Sequence, residues 1–215
     1  MASIIKSDNG VSSGITGIVQ SADSSGQLVL QTTTSSGTAT TAVTIDNTQV
    51  ATFANTLKAP NLQGPAFSAY LATSNQSVTS STWTALSAQT KEFDTATAYN
   101  NTGSTTTLNG ISVPAYSFAP NVAGYYQVNG EINATCTAGS QMNISVYKNG
   151  SEFKRGFALV GGSFTQYCLP VSSLIYMNGT SDYVTLYGIV IGTSPVFVFG
   201  TGAWSYFQAN LVRSA

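Results

Sequence analysis

Tyr116-Ser-Phe-Ala-Pro-Asn-Val-Ala-Gly-Tyr-Tyr-Gln-Val-Asn-Gly-Glu-Ile-Asn-Ala134 reads as a turn followed by a long strand. From Tyr126 the even positions are Tyr126, Val128, Gly130, Ile132 and Ala134, whereas Gln127, Glu131 and Asn133 take odd positions. Alternation with period two gives one apolar face and one wet face, as a strand that covers a core requires. Pro120 and Gly124 bracket the turn that launches it. If this strand is central, the runs on either side must pair with it, and the fold is all-β.

Those runs are present. Upstream, strand signals fall at residues 66–72, at 82–86 with Trp83, and at 91–95 with Phe93. A turn at 99–103 and a polar loop or edge at 105–113 follow. Downstream, residues 141–148 set Met142, Ile144 and Val146 on one face and end in Asn149-Gly150, a strong hairpin signal. Residues 152–160 return from it, Gly161-Gly162 turns, and 164–177 runs to Asn178-Gly179. Residues 182–191 carry Val184, Leu186 and Val190 on one face, 196–199 is short, and 204–212 closes with Phe207, Ala209 and Leu211 alternating. Short strands at near-regular spacing predict a β-sandwich or jelly roll. No helical periodicity of useful length occurs.

The second face of 182–191 is Tyr183, Thr185, Tyr187 and Ile189, too apolar for a face that meets water. Tyrosine buries area while its hydroxyl tolerates water, which suits a subunit contact. Leu174, Tyr176, Tyr183, Tyr187 and Ile189 are therefore the candidate interface residues for self-association. Cover by loops of the same chain is the competing reading.

Only 7% of the 215 residues are charged, there is no histidine, and the formal net charge is −1. Seven scattered Lys and Arg cannot neutralise a row of phosphates, so no nucleic-acid partner is expected. No stretch reaches the roughly 20 apolar residues of a helical span, so no membrane insertion is expected. The segment Met1-Ala-Ser-Ile-Ile-Lys6 lacks the apolar core of a secretion signal. Cys136 continues the inward face of the central strand. Cys168 alternates with Tyr167 and Leu169 and faces the other way, so two free thiols are expected. Synthesis in a reducing cytoplasm agrees.

Residues 1–59 read as a separate N-terminal β arm, 60–65 as a linker marked by Pro60, Gly64 and Pro65, and 66–215 as the head domain. Phe53 is the one aromatic before residue 66. Short apolar pieces recur at 15–19, 27–30, 42–45 and 50–53, separated by turns at Gly10, Gly14, Gly26, Gly37 and Asn47. None buries enough area to offset its own ordering entropy, so the arm is expected either to stay flexible as a Ser/Thr linker or to order by pairing with other copies or another protein, and the alternating apolar residues favour pairing.

Candidate chemistry is sparse. Glu92 and Asp94 share a strand face and could do acid/base work or hold calcium, with a solvated face as the alternative; with Glu131 and Asp182 they are the candidates, among eight acidic residues, for polysaccharide cleavage. Without histidine a Ser-His-Asp triad is excluded and the usual zinc sites are absent. No catalytic residue, metal ligand or cofactor is assigned. The aromatics near loops, Trp83, Tyr99, Tyr116 and Trp204, are the candidates for stacking on sugar, with core or subunit contact as the alternative for each.

Residues 66–215 resemble the globular head of the complement recognition subcomponent and its tumour-necrosis-factor relatives. The resemblance is carried by Ala66-Phe-Ser-Ala-Tyr70, Tyr116-Ser-Phe-Ala-Pro, Ala123-Gly-Tyr-Tyr-Gln-Val128, Ile144-Ser-Val-Tyr-Lys-Asn-Gly150 and Phe207-Gln-Ala-Asn-Leu211. It implies a ten-stranded jelly roll that assembles as a homotrimer. The collagen-like stem is missing, and Asn178-Gly-Thr-Ser-Asp182 departs from the relatives' pattern where calcium would bind. Gly26-Gln-Leu-Val-Leu-Gln31, Ala42-Val-Thr-Ile-Asp46 and Val50-Ala-Thr-Phe53 resemble segments of tailed-bacteriophage virion proteins. Together the resemblances imply a virion structural protein assembled in bacterial cytoplasm. Its arm would contact other virion proteins, and its trimeric head would form a fibre or tip that binds host surface polysaccharide. A capsid decoration protein and a tail depolymerase are the alternatives.

Overall fold

The computed structural model describes residues 3–7, 18–22, 27–33, 37–48, 50–54, 64–200 and 204–215. The chain divides into two units, Met1–Ala59 and Pro60–Ala215. The expected turns at Gly10, Gly14 and Gly26, and residues 60–63 of the expected linker, lie outside the described residues.

The first unit is one sheet of β1 (Ser3–Ser7), β2 (Ile18–Ala22), β3 (Leu28–Thr33), β4 (Ala39–Ile45) and β5 (Ala51–Phe53), in the order β2-β1-β3-β4-β5. β1 and β3 pair in parallel and the other neighbours are antiparallel. The β4–β5 connection is built on Asp46. One of its carboxylate oxygens accepts from the Thr48 amide at 2.8 Å, the Thr48 hydroxyl at 2.7 Å and the Val50 amide at 3.0 Å. Such Asx turns let a side chain stand in for the backbone at a reversal. The hydrogen bond from the Thr48 side chain, followed by the Val50 amide, holds the Asp46 carboxyl below its ordinary range.

The second unit contains β6 (Ala66–Tyr70), β7 (Gln76–Ser77), β8 (Thr84–Ala85), β9 (Thr90–Asp94), β10 (Thr106–Leu108), β11 (Ile111–Val113) and β12 (Ser117–Phe118). β13 (Gly124–Lys148), β14 (Ser151–Met177), β15 (Val184–Phe197) and β16 (Tyr206–Ser214) follow. β13 and β14 form an antiparallel ribbon from Gly124 opposite Met177 to Lys148 opposite Ser151. It reverses at Asn149-Gly150, with φ of 51° and 78°, the two positive φ values that a type I′ hairpin turn needs.

Where separate strands are expected at 126–134 and 141–148, and at 152–160 and 164–177 with a turn at Gly161-Gly162, the structure has one bent strand in each case, β13 and β14. The register slips between Ala134 and Gln141, and Ala138 sits at a φ of 52°. Bulged residues kink a strand and increase its twist without ending the pairing. The bend changes the third partner. Residues 124–131 pair with β16, and residues 141–148 pair with β15. One ribbon thus serves two sheets. The front sheet runs β14(167–177)-β13(124–134)-β16-β6-β9, and the back sheet runs β14(151–159)-β13(141–148)-β15-β12, with β7 and β8 also on β15. The result is a jelly-roll sandwich.

The inward residues fill the space between the sheets. Tyr126, Val128 and Ile132 from the front meet Met142, Ile144, Val146, Val184, Leu186 and Val190 from the back, all fully buried. Each large apolar side chain so buried stabilises the fold by roughly 1.5–3 kcal/mol. Phe67 stacks on Tyr99 with centroids 4.3 Å apart and on Phe118 at 4.6 Å, closing the end of the core nearest β6. Cys136 is buried and Cys168 exposed, both as free thiols, as their alternation predicts.

Two sequence expectations shift. Residues 105–113 form the β10–β11 hairpin, turning at Asn109-Gly110 with φ of 50° and 80°. Residues 82–86 contribute only the short β8, because this segment runs along the edge of β15 with a ladder register only at Tyr187 and Gly188, extended by the Leu86 amide donating to the Leu186 carbonyl at 2.9 Å.

Gly130 faces the opposite sheet, and a Cβ there would lie 2.5 Å from Leu186 Cδ2. Gly130→Ala is expected to destabilise the head by about 1–3 kcal/mol through overpacking. Combined with Leu186→Ala, the loss should be smaller than the sum of the two single losses, because the clashing group is gone. Urea unfolding of the four proteins in that cycle checks this.

Candidate interaction surface

The outer face of the front sheet can be read row by row from its register. Tyr176 lies beside Tyr125, with ring centroids 5.6 Å apart. The next row is Leu174, Gln127 and Asn210, followed by Ser172, Asn129, Gln208 and Ser68, and then Pro170, Glu131, Tyr206 and Tyr70. Cross-strand neighbours of this kind stand about 5 Å apart and interact directly. The middle rows are stitched by side chains. Gln127 Nε2 donates to Ser172 Oγ at 2.8 Å and to Asn129 Oδ1 at 3.1 Å, and Ser172 Oγ donates to Asn129 Oδ1 at 2.8 Å.

One end of this face is apolar and open. Leu174 is 55% exposed and Tyr176 42%, with Tyr125 and Val212 also exposed beside them. Val212 sits where the register of β16 shifts against Tyr125 and Tyr126. The outward residues Phe153, Phe157 and Leu159 of the first half of β14 add a second exposed apolar strip along the back sheet's edge.

A polar latch fixes the Tyr176 corner. Lys148 Nζ donates to the Tyr176 carbonyl at 2.7 Å, lies 5.8 Å from the centre of that tyrosine's ring, and pairs with Asp182 at 2.8 Å. Asp182 also accepts from Asn149 Nδ2 at 2.7 Å and from the Asn178 amide at 3.0 Å. Burial alone would raise the Asp182 carboxyl. The bonds from Lys148, Asn149 and Asn178 outweigh it and hold the carboxyl below its ordinary range. Asp182 is thus a turn residue.

Of the five interface residues predicted from sequence, the structure brings Leu174 and Tyr176 together and sets the other three on the opposite side of the sandwich. Tyr183 packs on the cluster of Ile111, Val113 and Ala119. Tyr187 lies 4.4 Å from Tyr147, whose ring meets Trp83 at 5.8 Å, and Ile189 is buried. The chain's own 83–85 and 108–113 segments lie against this back face, which answers the excess of apolar residues there.

The carboxylates are scattered. Asp94 caps its own turn, accepting from the Ala98 and Tyr99 amides at 2.9 and 3.1 Å. Glu92 accepts from Ser68 Oγ at 2.7 Å. Glu92 and Glu131 stand on strands three steps apart in the front sheet, about 14 Å at the usual strand spacing. That exceeds the roughly 5–9.5 Å of a glycosidase pair.

The four aromatics separate as well. Tyr99 is buried in the core, with its hydroxyl donating to the Ala88 carbonyl at 3.0 Å. Arg155 covers the Trp83 ring at 5.3 Å. Tyr116 and Trp204 each line a cavity beyond the ends of β6 and β15.

An all-β jelly-roll head with an open amphipathic sheet face is the class that fold and surface define. No protein-family model matches the chain, and no curated protein matches it. Among solved structures it is similar to murine APRIL at pH 5.0, at 7% identity over 69% of this chain and 99% of that one, with a TM-score of 0.48. It is also similar to the Eiger TNF of S. frugiperda, at 8% identity over 71% of this chain and 95% of that one, with a TM-score of 0.48.

Asp182→Asn is expected to lower stability at pH 7 by about 1–3 kcal/mol, because Lys148 loses its buried counter-charge. A carboxyl with a lowered folded pKa stabilises above its ordinary value of 3.8, and that contribution fades as pH falls through the lower folded value. Thermal melts of wild type and variant should therefore differ at pH 7 and draw together as the pH is taken below 3.8.

Proposed function

We propose that this chain is a structural protein of a tailed-phage virion. The head assembles as a homotrimer through the outer face of its front sheet and is presented outward to host surface glycan. The N-terminal unit joins it to other virion proteins. The observation that carries the reading is the open apolar end of that face, with Tyr125, Leu174, Tyr176 and Val212 exposed side by side. Contiguous apolar patches on soluble proteins mark interaction sites. Tyrosines beside a polar amide ladder match the composition of a subunit interface, apolar at its centre and hydrogen-bonding at its rim.

Three-fold order follows the resemblance of residues 66–215 to trimeric heads. Virion placement follows the resemblance of the N-terminal segments. It is supported by a surface rich in Ser, Thr and Asn with few charges. The reading gives the head no catalytic role and no cofactor.

Light scattering after gel filtration tests the assembly. At micromolar concentration the wild type should have three times the 22.3 kDa chain mass. The Leu174→Glu/Tyr176→Glu variant should be monomeric with an unchanged circular dichroism spectrum. A monomeric wild type would overturn the reading. Antibody labelling of phage particles tests the location: tail or capsid labelling supports a virion role, and unlabelled particles refute it.

A further inference from the structure

We propose that the head binds a neutral saccharide at the end of the sandwich where two cavities meet at Asn75. The inference deepens the proposed function and rests on its reading that the head meets host glycan. The first cavity, of about 290 Å3, is lined by Leu71, Ser74, Asn75, Gln76, Ser87, Gln89 and Tyr116. The second, of about 380 Å3, is lined by Asn75, Val198, Phe199, Gly200 and Trp204. Both are open to solvent, so a sugar would lie in them with one side still in water.

The two cavities differ in chemistry. The second is an aromatic platform. Trp204 remains 37% exposed and Phe199 43%. The indole rests against Gly200, where a Cβ would come within 3.2 Å of the ring, so a side chain there would crowd the indole. The first cavity is lined by hydroxyls and amides. A pyranose has the matching anatomy, with C–H groups on its faces for an aromatic ring and hydroxyls on its edge for amides. Among the described residues no lining side chain of either cavity is charged, so a charged sugar would find no ion-pair partner there, and a neutral one is favoured.

The platform is braced before any ligand arrives. The Phe199 amide donates to Asn75 Oδ1 at 3.1 Å, and the Gly200 amide to the Leu71 carbonyl at 2.9 Å. The Leu71 amide donates to the Ser205 carbonyl at 2.9 Å, and the buried Ser205 hydroxyl to the Val198 carbonyl at 2.8 Å. Across the first cavity, Gln76 donates to the Ala85 carbonyl at 2.8 Å and accepts from the Ser87 amide at 2.9 Å. Tyr116 is held at a φ of 56°, a conformation that non-glycine residues adopt at a cost and that clusters at functional sites. Walls fixed in advance reduce the ordering cost of binding.

The chain has two tryptophans, so Trp83→Phe leaves Trp204 as the sole indole reporter. Titration of that protein with maltotriose, cellotriose, chitotriose and mannotriose should change its emission saturably for at least one sugar. Sialyllactose and trigalacturonate should leave it unchanged. In calorimetry with the sugar that binds, Phe199→Ala and Trp204→Ala should each weaken affinity roughly tenfold or more, with trimer mass retained. Should Trp204→Ala misfold, the Phe199 variant decides. Binding equal to wild type in both variants, binding of the acidic sugars alone, or no binding of the neutral four would overturn the site. A trimeric wild type that binds none of them refutes the saccharide site and leaves the assembly reading intact, whereas a monomer that binds does the reverse.

Discussion

Between Ala134 and Gln141 the ladder of β13 slips while its ribbon with β14 carries on, and the rest of the head depends on that slip. A straight ribbon of this length would add both its halves to a single flat sheet with two wet faces. The bend turns the second half over the first, so that Tyr126, Val128 and Ile132 look across at Met142, Ile144 and Val146. Gly130 and Gly188 then set the distance. Each lacks a side chain where one comes across from the other sheet, Leu186 at Gly130 and Ile132 at Gly188. The core is thus built from one continuous hairpin, with β15 and β16 completing the two layers.

The outer faces of those layers are finished in different ways. On the back, short segments of the same chain lie over the apolar residues, with Trp83 meeting Tyr147 and the β10–β11 hairpin meeting Tyr183. On the front, no described segment of the head lies across Tyr125 and Tyr176, and the face instead grades from rings at one end to a lattice of amides and hydroxyls in the middle. A gradient of this kind suits association with a defined register, because the amides fix position and the apolar end supplies area.

The sandwich was legible because its signals are local and periodic. Alternation from Tyr126 to Ala134, Asn149-Gly150, and the opposite orientations of Cys136 and Cys168 all depend on period two or on the φ demands of a turn. The bend was not legible, since Ala138 carries no mark of the positive φ it adopts. The β10–β11 hairpin had a signal, the dipeptide Asn109-Gly110, masked by polar neighbours. Leu174 and Tyr176 could be placed on a second face from alternation alone. That Tyr183 lies on the other side of the molecule follows from the order of strands, which is long-range information. Tyr125 was hidden in a doublet, being the one large apolar side chain on a face otherwise read as wet. The cavities at Asn75 join residues from segments 71–76, 87–89 and 198–200 with Tyr116 and Trp204, and no spacing along the chain reveals such a meeting.

β14 has one further property. Among the described residues its only strand partner is β13, so its far edge carries no ladder, although Lys148 Nζ takes up the Tyr176 carbonyl at 2.7 Å. Unpaired edges of this length template the addition of other strands, and natural proteins protect them with charge, proline or a covering segment. Here Lys154, Arg155 and Pro170 interrupt an edge that also carries Phe157 and Leu159. The uncovered stretches of this edge are thus the places on the head where a strand from another chain could add to the sheet.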